Sequence, residues 1–283
     1  MYCAHFGLRE PAFNLTPDPD FVYADAQHQA ALDALRTALQ HGEGFVKVTG
    51  EVGTGKTLLC RRLMGCMPAS VVTIHLVNPR VDPRGLLKDL ALELGLAVDD
   101  AANEHALRQQ IEGALQHLTR YGHRIVCCVD EAHAWPIESL EALRLLSNIE
   151  THKCKLIQIA FFGQPELDAR LCAPPLRSLA SRVGVSVSLG GLPYPDFRRY
   201  LKHRLVVAGW QGPRVFSDGA AQLLWRASGG VPRLANVLAH QCLMRASAQG
   251  VHQVCLKDAL QVCLERWRTF GLTSRSPAAW AVS

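Results

Sequence analysis

The sequence predicts an α/β domain with a parallel five-stranded sheet flanked by helices, followed by a small all-helical domain. Five short apolar runs rich in β-branched residues alternate with helical patterns up to residue 189, and only helical patterns follow. Strands that alternate with helices form parallel sheets covered on both faces. The chain has 283 residues, of which 48% are apolar, so it can bury a core of this size and is not disordered.

The predicted elements follow one another in a regular order. The five strands are expected at residues 44–49, 70–76, 124–129, 155–162 and 183–189. Helices, recognised by apolar residues at the spacing of one helix face, are expected at residues 26–40, 57–66, 84–94, 104–120 and 137–149. Four more are expected at residues 193–208, 217–227, 232–249 and 256–266.

The pair Gly190-Gly191 marks the predicted boundary between the two domains. We assign residues 1–190 to the α/β domain and residues 191–268 to the helical domain. Residues 269–283 are rich in Ser, Pro and Ala, which predicts a flexible tail.

Composition narrows the class of protein further. The N-terminus lacks a secretory signal, and no apolar stretch approaches the roughly 18 residues of a membrane helix, so we expect a cytoplasmic protein without a membrane span. The ten cysteines show no Cys-x-x-Cys spacing, which favours buried thiols in a reducing compartment over a zinc site. The formal charge of +5 permits contact with an anionic surface but does not predict one.

A glycine-rich motif follows the first predicted strand and precedes a predicted helix. It reads Gly50-Glu51-Val52-Gly53-Thr54-Gly55-Lys56-Thr57, a full match to the phosphate-binding loop pattern G-x-x-x-x-G-K-[ST]. Its glycines allow backbone N–H groups to close around phosphates, and the helix adds its positive dipole end. Lys56 is expected to neutralise the β- and γ-phosphates, and the hydroxyl of Thr57 to ligate Mg²⁺. The motif therefore predicts ATP with Mg²⁺ as the bound nucleotide.

Two acidic residues follow the third predicted strand. Asp130 and Glu131 end the apolar run at residues 124–129, which is the Walker B pattern. We expect Asp130 to hold Mg²⁺ through water and Glu131 to orient and deprotonate the attacking water. Taken alone, a strand ending in two acids is often just a solvated strand end. The string Asp130-Glu131-Ala132-His133 also spells a helicase DEAH box, but such helicases need two tandem domains and this chain has room for one.

A polar residue follows the fourth predicted strand. In phosphate-loop ATPases with a catalytic glutamate, an extra strand lies between the two Walker strands and carries a sensor for the γ-phosphate or the attacking water. Gln164 is the candidate for this sensor. The alternative is a loop or helix-capping glutamine before Pro165.

Three arginines are candidates for meeting the charge that develops on the γ-phosphate. Arg182, just before the fifth strand, is the candidate arginine finger, and Arg177 is its rival. Arg233 begins a helix of the second domain, at the position of the second sensor in AAA+ ATPases. A lone arginine is more often a surface residue, so these assignments rest on where the three arginines lie relative to the predicted strands and helices.

Several segments together resemble one family. These are Phe6-Gly7-Leu8-Arg9-Glu10-Pro11-Ala12-Phe13, Leu15-Thr16-Pro17-Asp18-Pro19, Tyr23, Gly163-Gln164-Pro165-Glu166-Leu167 and Gly230-Val231-Pro232-Arg233. They resemble the ExeA/GspA and MshM family of bacterial AAA+ ATPases over residues 1–268. Ala12 departs from the pattern, which usually has Pro there.

The resemblance implies a P-loop NTPase of the AAA+ type, activated by assembly into a homo-oligomeric ring or filament. It implies work on type II secretion or type IV pilus assembly with inner-membrane partner proteins, and a peripheral position at that membrane. Longer ExeA-like members continue into a membrane helix and a periplasmic module, so the length of 283 residues favours the MshM branch, which serves the mannose-sensitive haemagglutinin (MSHA) pilus.

The sequence also leaves one different function open. The transposition ATPases of the TniB type share this domain plan and act on DNA. Arg198, Arg199, Lys202 and Arg204 cluster on one predicted helix and would touch phosphates of DNA or lipid, although a charge run is usually a solvated face. His28, near the start of the first helix, is a candidate for the adenine pocket or an ordinary surface residue.

Overall fold

The computed structural model describes residues 2–15, 19–23, 25–79, 81–99, 101–149 and 155–270. It divides into two compact units, Ala26–Leu189 and Met1–Asp25 together with Gly190–Ser283. Most of the expected tail, residues 271–283, lies outside the described residues.

A parallel five-stranded sheet forms the centre of the first unit, as predicted. Its strands are β1 (Phe45–Gly50), β2 (Val71–Leu76), β3 (Arg124–Val129), β4 (Ile157–Gly163) and β5 (Val183–Leu189). The spatial order is β2-β3-β4-β1-β5, and every neighbouring pair is parallel. Since β4 lies between β1 and β3, the carboxyl ends of these three strands are neighbours at one edge.

The helices follow the predicted order, with three short additions. They are α1 (Tyr2–Phe6), α2 (Ala26–Gln40), α3 (Lys56–Gly65), α4 (Pro83–Glu93), α5 (Glu104–Arg120), α6 (Ile137–Leu146), α7 (Glu166–Cys172), α8 (Arg177–Ala180), α9 (Tyr194–Val207), α10 (Asp218–Ser228), α11 (Pro232–Ala248) and α12 (Leu256–Phe270). The sequence patterns missed α1, α7 and α8, which are too short to show a helical period. Side-chain caps mark several starts; Asn103, for example, accepts a 2.9 Å bond from the N–H of Ala106 before α5.

Both faces of the sheet are covered by helices. Leucines of α4, α5 and α6 pack on one face, and leucines of α2 and α3 pack on the other. Successive strand residues serve opposite cores, as Cys127 and Cys128 do on β3. The expectation of buried thiols is only partly correct, because Cys66, Cys172 and Cys255 are exposed.

The edge strand β5 differs from the other predicted strands. Its odd-numbered valines are half-buried, whereas Gly184, Ser186 and Ser188 are exposed. The run at residues 183–189 is therefore amphipathic and not buried on both sides. An edge strand with one packed face shows this alternation.

The N-terminal residues up to Asp25 belong to the helical unit and not, as predicted, to one domain of residues 1–190. Tyr2, Phe6, Phe13 and Phe21 share a buried cluster with the apolar faces of α9 to α12. Large aromatic side chains gain the most from such burial, which explains why this segment packs there.

Arg204 anchors the same segment. Its Nε donates to the carbonyl oxygen of Ala12 at 2.7 Å, its Nη2 donates to that of Asn14 at 3.0 Å, and its guanidinium lies over the ring of Phe21. Arg204 is buried, so it is not part of the basic surface predicted for this helix. No helix within the described ranges is long and apolar enough to cross a bilayer.

Candidate functional site

The phosphate-loop motif adopts a tight turn between β1 and α3. Gly55, the residue before α3, has φ +96°, a conformation that L side chains rarely adopt. A Cβ on Gly50 would lie 2.6 Å from the carbonyl oxygen of Leu189. The glycines of this turn are therefore explained by its backbone geometry as well as by phosphate binding.

Side chains brace the loop from inside. The hydroxyl of Thr54 donates to the carbonyl oxygen of Glu51 at 2.9 Å, and Nζ of Lys56 donates to the carbonyl oxygen of Gly50 at 2.7 Å. Nε2 of His28 lies 2.8 Å from the carbonyl oxygen of Thr54, and because a carbonyl only accepts, this nitrogen carries the proton. His28 is buried against the loop and not on the surface.

The start of α3 fits an anionic ligand. No side chain caps this helix, so its first N–H groups lack the usual side-chain acceptor, as at other phosphate sites. Burial lowers the pKa of Lys56, and the carboxylates of Glu131, Asp130, Glu51 and Glu166 oppose this shift. The start of α3 thus brings backbone N–H donors and a buried lysine together.

The Walker B acids lie directly beyond β3. Asp130 is buried, and its N–H donates to the carbonyl oxygen of Leu76 at 2.9 Å. Its carboxylate accepts the N–H of Glu131 at 2.9 Å, while its carbonyl accepts Nε1 of the buried Trp135 at 3.0 Å. These bonds hold Asp130 at the carboxyl end of the sheet, where hydroxyl and carboxylate oxygens suit Mg²⁺.

Glu131 has a strained backbone. Its φ is +49°, and it is the one non-glycine residue with positive φ in the described part of the chain. Such conformations cost about 1–3 kcal/mol and cluster at functional sites. The side chain of Glu131 is 45% exposed and can reach solvent, as an activator of water must.

His133 connects Glu131 with Gln164. Nδ1 of His133 lies 3.5 Å from Oε2 of Glu131, and Nε2 lies 2.8 Å from the side-chain nitrogen of Gln164. The N–H of Gln164 also points to Nδ1 at 3.3 Å. The imidazole of His133 therefore contacts both the candidate base, Glu131, and the candidate sensor, Gln164.

Helix α7 contacts β1 and the turn that follows Glu131. Arg170 donates to the carbonyl oxygens of His133 and Trp135, across the 3-10 turn that follows Glu131. Asp168 pairs with Lys47 of β1 and accepts the hydroxyl of Thr49 at 3.3 Å. Asp168 and Arg170 were not predicted from the sequence, although their place just after Gln164 was an available signal.

The three candidate arginines occupy different surroundings. Arg182 is tied to the end of α6, where it donates to Asn148 and, at 3.4 Å, to the hydroxyl of Ser147. Arg177 is exposed at the start of α8, and its guanidinium makes no bond within the described residues. Arg233 is exposed in the first turn of α11 in the other unit, and its role stays a prediction.

The sequence matches a known protein family and a curated relative. The family model described as AAA domain matches residues 18–171, more than half of the chain. General secretion pathway protein A of Aeromonas hydrophila is 41% identical over 258 residues, which cover 91% of this chain and 47% of that protein. The chain thus spans about half the length of this curated relative.

Solved structures share the fold at low sequence identity. Cdc6p of Pyrobaculum aerophilum is 14% identical with a TM-score of 0.69, covering 90% of this chain and 70% of its own. The ORC1 protein of Aeropyrum pernix in complex with DNA is 19% identical with a TM-score of 0.62, covering 92% and 70%. The RuvB branch migration motor of Thermotoga maritima is 19% identical with a TM-score of 0.55, covering 89% and 72%. At such identities the likeness shows the fold alone.

Proposed function

Because this chain belongs to the AAA domain family, we propose that it is an Mg²⁺-dependent ATPase with its site at the carboxyl edge of the sheet. One observation carries the proposal. The phosphate loop, the Walker B acids and Gln164 follow the neighbouring strands β1, β3 and β4. Ligands of open α/β sheets bind at this edge.

Each residue has a defined task in this proposal. Backbone N–H groups of residues 53–57 and the ammonium of Lys56 bind the phosphates. Thr57 and Asp130 would hold Mg²⁺, which would supply positive charge against the charge that develops on the phosphates. Glu131 accepts a proton from the attacking water, and Gln164 orients that water or the γ-phosphate. An arginine of a neighbouring subunit, Arg182 or Arg177, completes the site, and Arg233 acts as the sensor of the helical unit.

We further propose that hydrolysis drives assembly of secretion machinery. The 41% identity to a general secretion pathway protein supports this role. The finer proposal is a homo-oligomer that works on type IV pilus or type II secretion components, MSHA-like in the first case, at the cytoplasmic side of the inner membrane. The family resemblance supports that part.

The DNA-binding alternative of the TniB type is not favoured. Its support was a basic helix, and Arg204 of that helix is buried in contact with the N-terminal segment. The likeness to DNA-associated proteins is one of fold, at 19% identity.

The variant Glu131→Gln tests the hydrolytic site. It should retain ATP affinity within about twofold and lose at least about a hundredfold in turnover, because the amide cannot accept the proton. Glu138→Gln, an exposed change on α6, is the matched control. Undiminished hydrolysis by Glu131→Gln would show that another group is the base.

Affinity capture tests the cellular role. The Glu131→Gln protein with ATP should recover inner-membrane pilus or secretion assembly proteins from its own host, and the Lys56→Ala protein should not. Recovery of DNA with transposition proteins would favour the alternative and contradict the proposed role.

A further inference from the structure

A concave site lies in the helical unit and is lined by none of the candidate nucleotide-site residues. A cavity of about 700 Å³ opens between α9 and the segment that leads into α10, residues 210–218. This volume is in the range of small-molecule and side-chain binding pockets. We call it the α9 groove.

Apolar side chains form the floor of the α9 groove. Leu201, Leu205 and Phe216 line it and are themselves buried, whereas Val206 at its rim is 51% exposed. Trp210 adds a half-buried ring. An exposed valine beside an apolar floor offers contact area to a hydrophobic partner group.

The wall formed by Trp210 is held in place. Its Nε1 donates to the carbonyl oxygen of Pro213 at 2.9 Å, and its backbone N–H donates to that of Leu205 at 2.9 Å. A Cβ on Gly212 would lie 2.4 Å from the indole ring, so glycine permits this close approach. The groove is therefore built before any partner binds, which lowers the entropic cost of binding.

The rim of the α9 groove is positive. Four cationic side chains and one carboxylate line the cavity. The carboxylate is that of Asp218, which pairs with Arg198 at 2.9 Å and with Arg214 at 2.7 Å. Lys202 is exposed and has no ion-pair partner among the residues that the structure describes. Arg199 pairs with Asp196, a residue outside the lining, and its side chain is 72% exposed. Excess positive charge thus surrounds the apolar floor.

We propose that the α9 groove binds an acidic segment of a partner protein. An apolar side chain of that segment occupies the floor, and its carboxylates pair with Lys202 and Arg199 at the rim. Complementary charge speeds association and fixes orientation, while the desolvated apolar contact supplies affinity. None of these residues belongs to the candidate nucleotide site, so this proposal does not rest on the proposed hydrolysis.

The shape of the site favours a protein segment over other anionic partners. A DNA duplex presents phosphates along a convex backbone and gains little from a recessed apolar floor. A lipid surface is met by protruding apolar and basic side chains, whereas Leu201 and Leu205 lie at the bottom of a cavity. Binding of either of these partners at the α9 groove would contradict the proposal.

Fluorescence anisotropy with the full chain tests the proposal. The probe is a labelled short peptide with Glu and Leu at helical spacing, compared with the same peptide carrying Gln in place of Glu. The acidic peptide should bind at least about tenfold more tightly than its neutral counterpart. Lys202→Glu and Val206→Asp should each weaken its binding at least about tenfold, and Lys202→Arg should retain it.

Lys257→Glu is the matched control, because Lys257 is an exposed lysine of the same unit outside the lining. It should change affinity less than about twofold, as expected for distant surface charges. Equal binding of the acidic and neutral peptides, or equal losses in Lys202→Glu and Lys257→Glu, would overturn the proposal. So would binding of a DNA duplex or of anionic phospholipid vesicles that displaces the peptide and is lost in Lys202→Glu.

Discussion

Nε2 of His133 lies 2.8 Å from the side-chain nitrogen of Gln164, although 31 residues separate them in the chain. The other ring nitrogen lies 3.5 Å from a carboxylate oxygen of Glu131. The imidazole is 16% exposed, and Arg170 donates to the backbone carbonyl oxygen of the same residue. This contact joins the segments that follow β3 and β4, where the candidate base and the candidate sensor lie.

Replacement of His133 should affect turnover more than nucleotide binding. His133→Ala removes the shared partner of Glu131 and Gln164, so we expect kcat to fall at least about tenfold, equivalent to about 1.4 kcal/mol. KM for ATP should change less than about twofold, because the phosphate loop is untouched. Steady-state kinetics check both values. His133→Asn, which keeps a polar side chain, should recover part of kcat, and the exposed His105→Ala should behave as wild type.

Loss of Lys56 should abolish stabilisation by ATP. At ATP concentrations about 100 times Kd, the wild-type free energy of unfolding should rise by about 2.7 kcal/mol. The Lys56→Ala variant should gain none of this at the same concentration, because the phosphates lose their buried cation. Chemical denaturation with and without MgATP measures the difference, with Lys257→Ala as a control. An equal gain in Lys56→Ala would place the nucleotide elsewhere.

Mixing inactive variants should identify the arginine finger. If ATP is hydrolysed between subunits, a protein lacking Glu131 and a protein lacking the finger can form one intact site together. We therefore expect Glu131→Gln mixed with Arg177→Ala, or with Arg182→Ala, to regain up to about a quarter of wild-type activity at random pairing. The arginine that gives no recovery, or whose single variant remains active, is not the finger. Wild-type activity per subunit should rise with protein concentration.

The buried phenol of Tyr2 should make stability pH-dependent. Burial is the main cause that raises the pKa of Tyr2 from 10.0 to about 12. Because folding raises this pKa, the contribution of the neutral phenol is complete below pH 10 and is lost as the pH rises towards 12. Wild-type stability should thus fall across this window more than that of Tyr2→Phe. Urea denaturation between pH 9 and about 12 checks this.

Tyr121 provides the control for this measurement, since its side chain belongs to a residue that is 73% exposed. Tyr121→Phe should leave the alkaline decline unchanged. A decline in Tyr2→Phe as steep as in the wild type would mean that other groups cause it.

Local patterns predicted most of the first unit. Residues 124–129 and 183–189 are strands within the predicted limits, and residues 26–40 and 104–120 are helices within them. Their apolar spacing repeats over several residues, which makes such elements readable without tertiary contacts. The phosphate loop was equally readable, because its glycines, lysine and threonine are contiguous.

Contacts between distant residues were not readable in this way. The bonds from Arg170 to His133 and Trp135, and from Arg204 to Ala12, join residues 35 or more positions apart. Arg204 was predicted to belong to a basic cluster, and Arg170 was not singled out from the sequence. The bonding partners of both arginines depend on which segments pack beside them, and no local period encodes that.

The sequence alone therefore determined the chemistry available to this protein: a loop for phosphates, two acids after a strand, and a parallel sheet that brings strand ends together. Only the tertiary structure decided that residues 1–25 pack with the helical unit, that His133 stands between Glu131 and Gln164, and that α9 borders a basic groove. The physical reason is the same in each case. Covalent order sets local conformation, whereas burial and pairing of side chains are settled by neighbours that are distant along the chain.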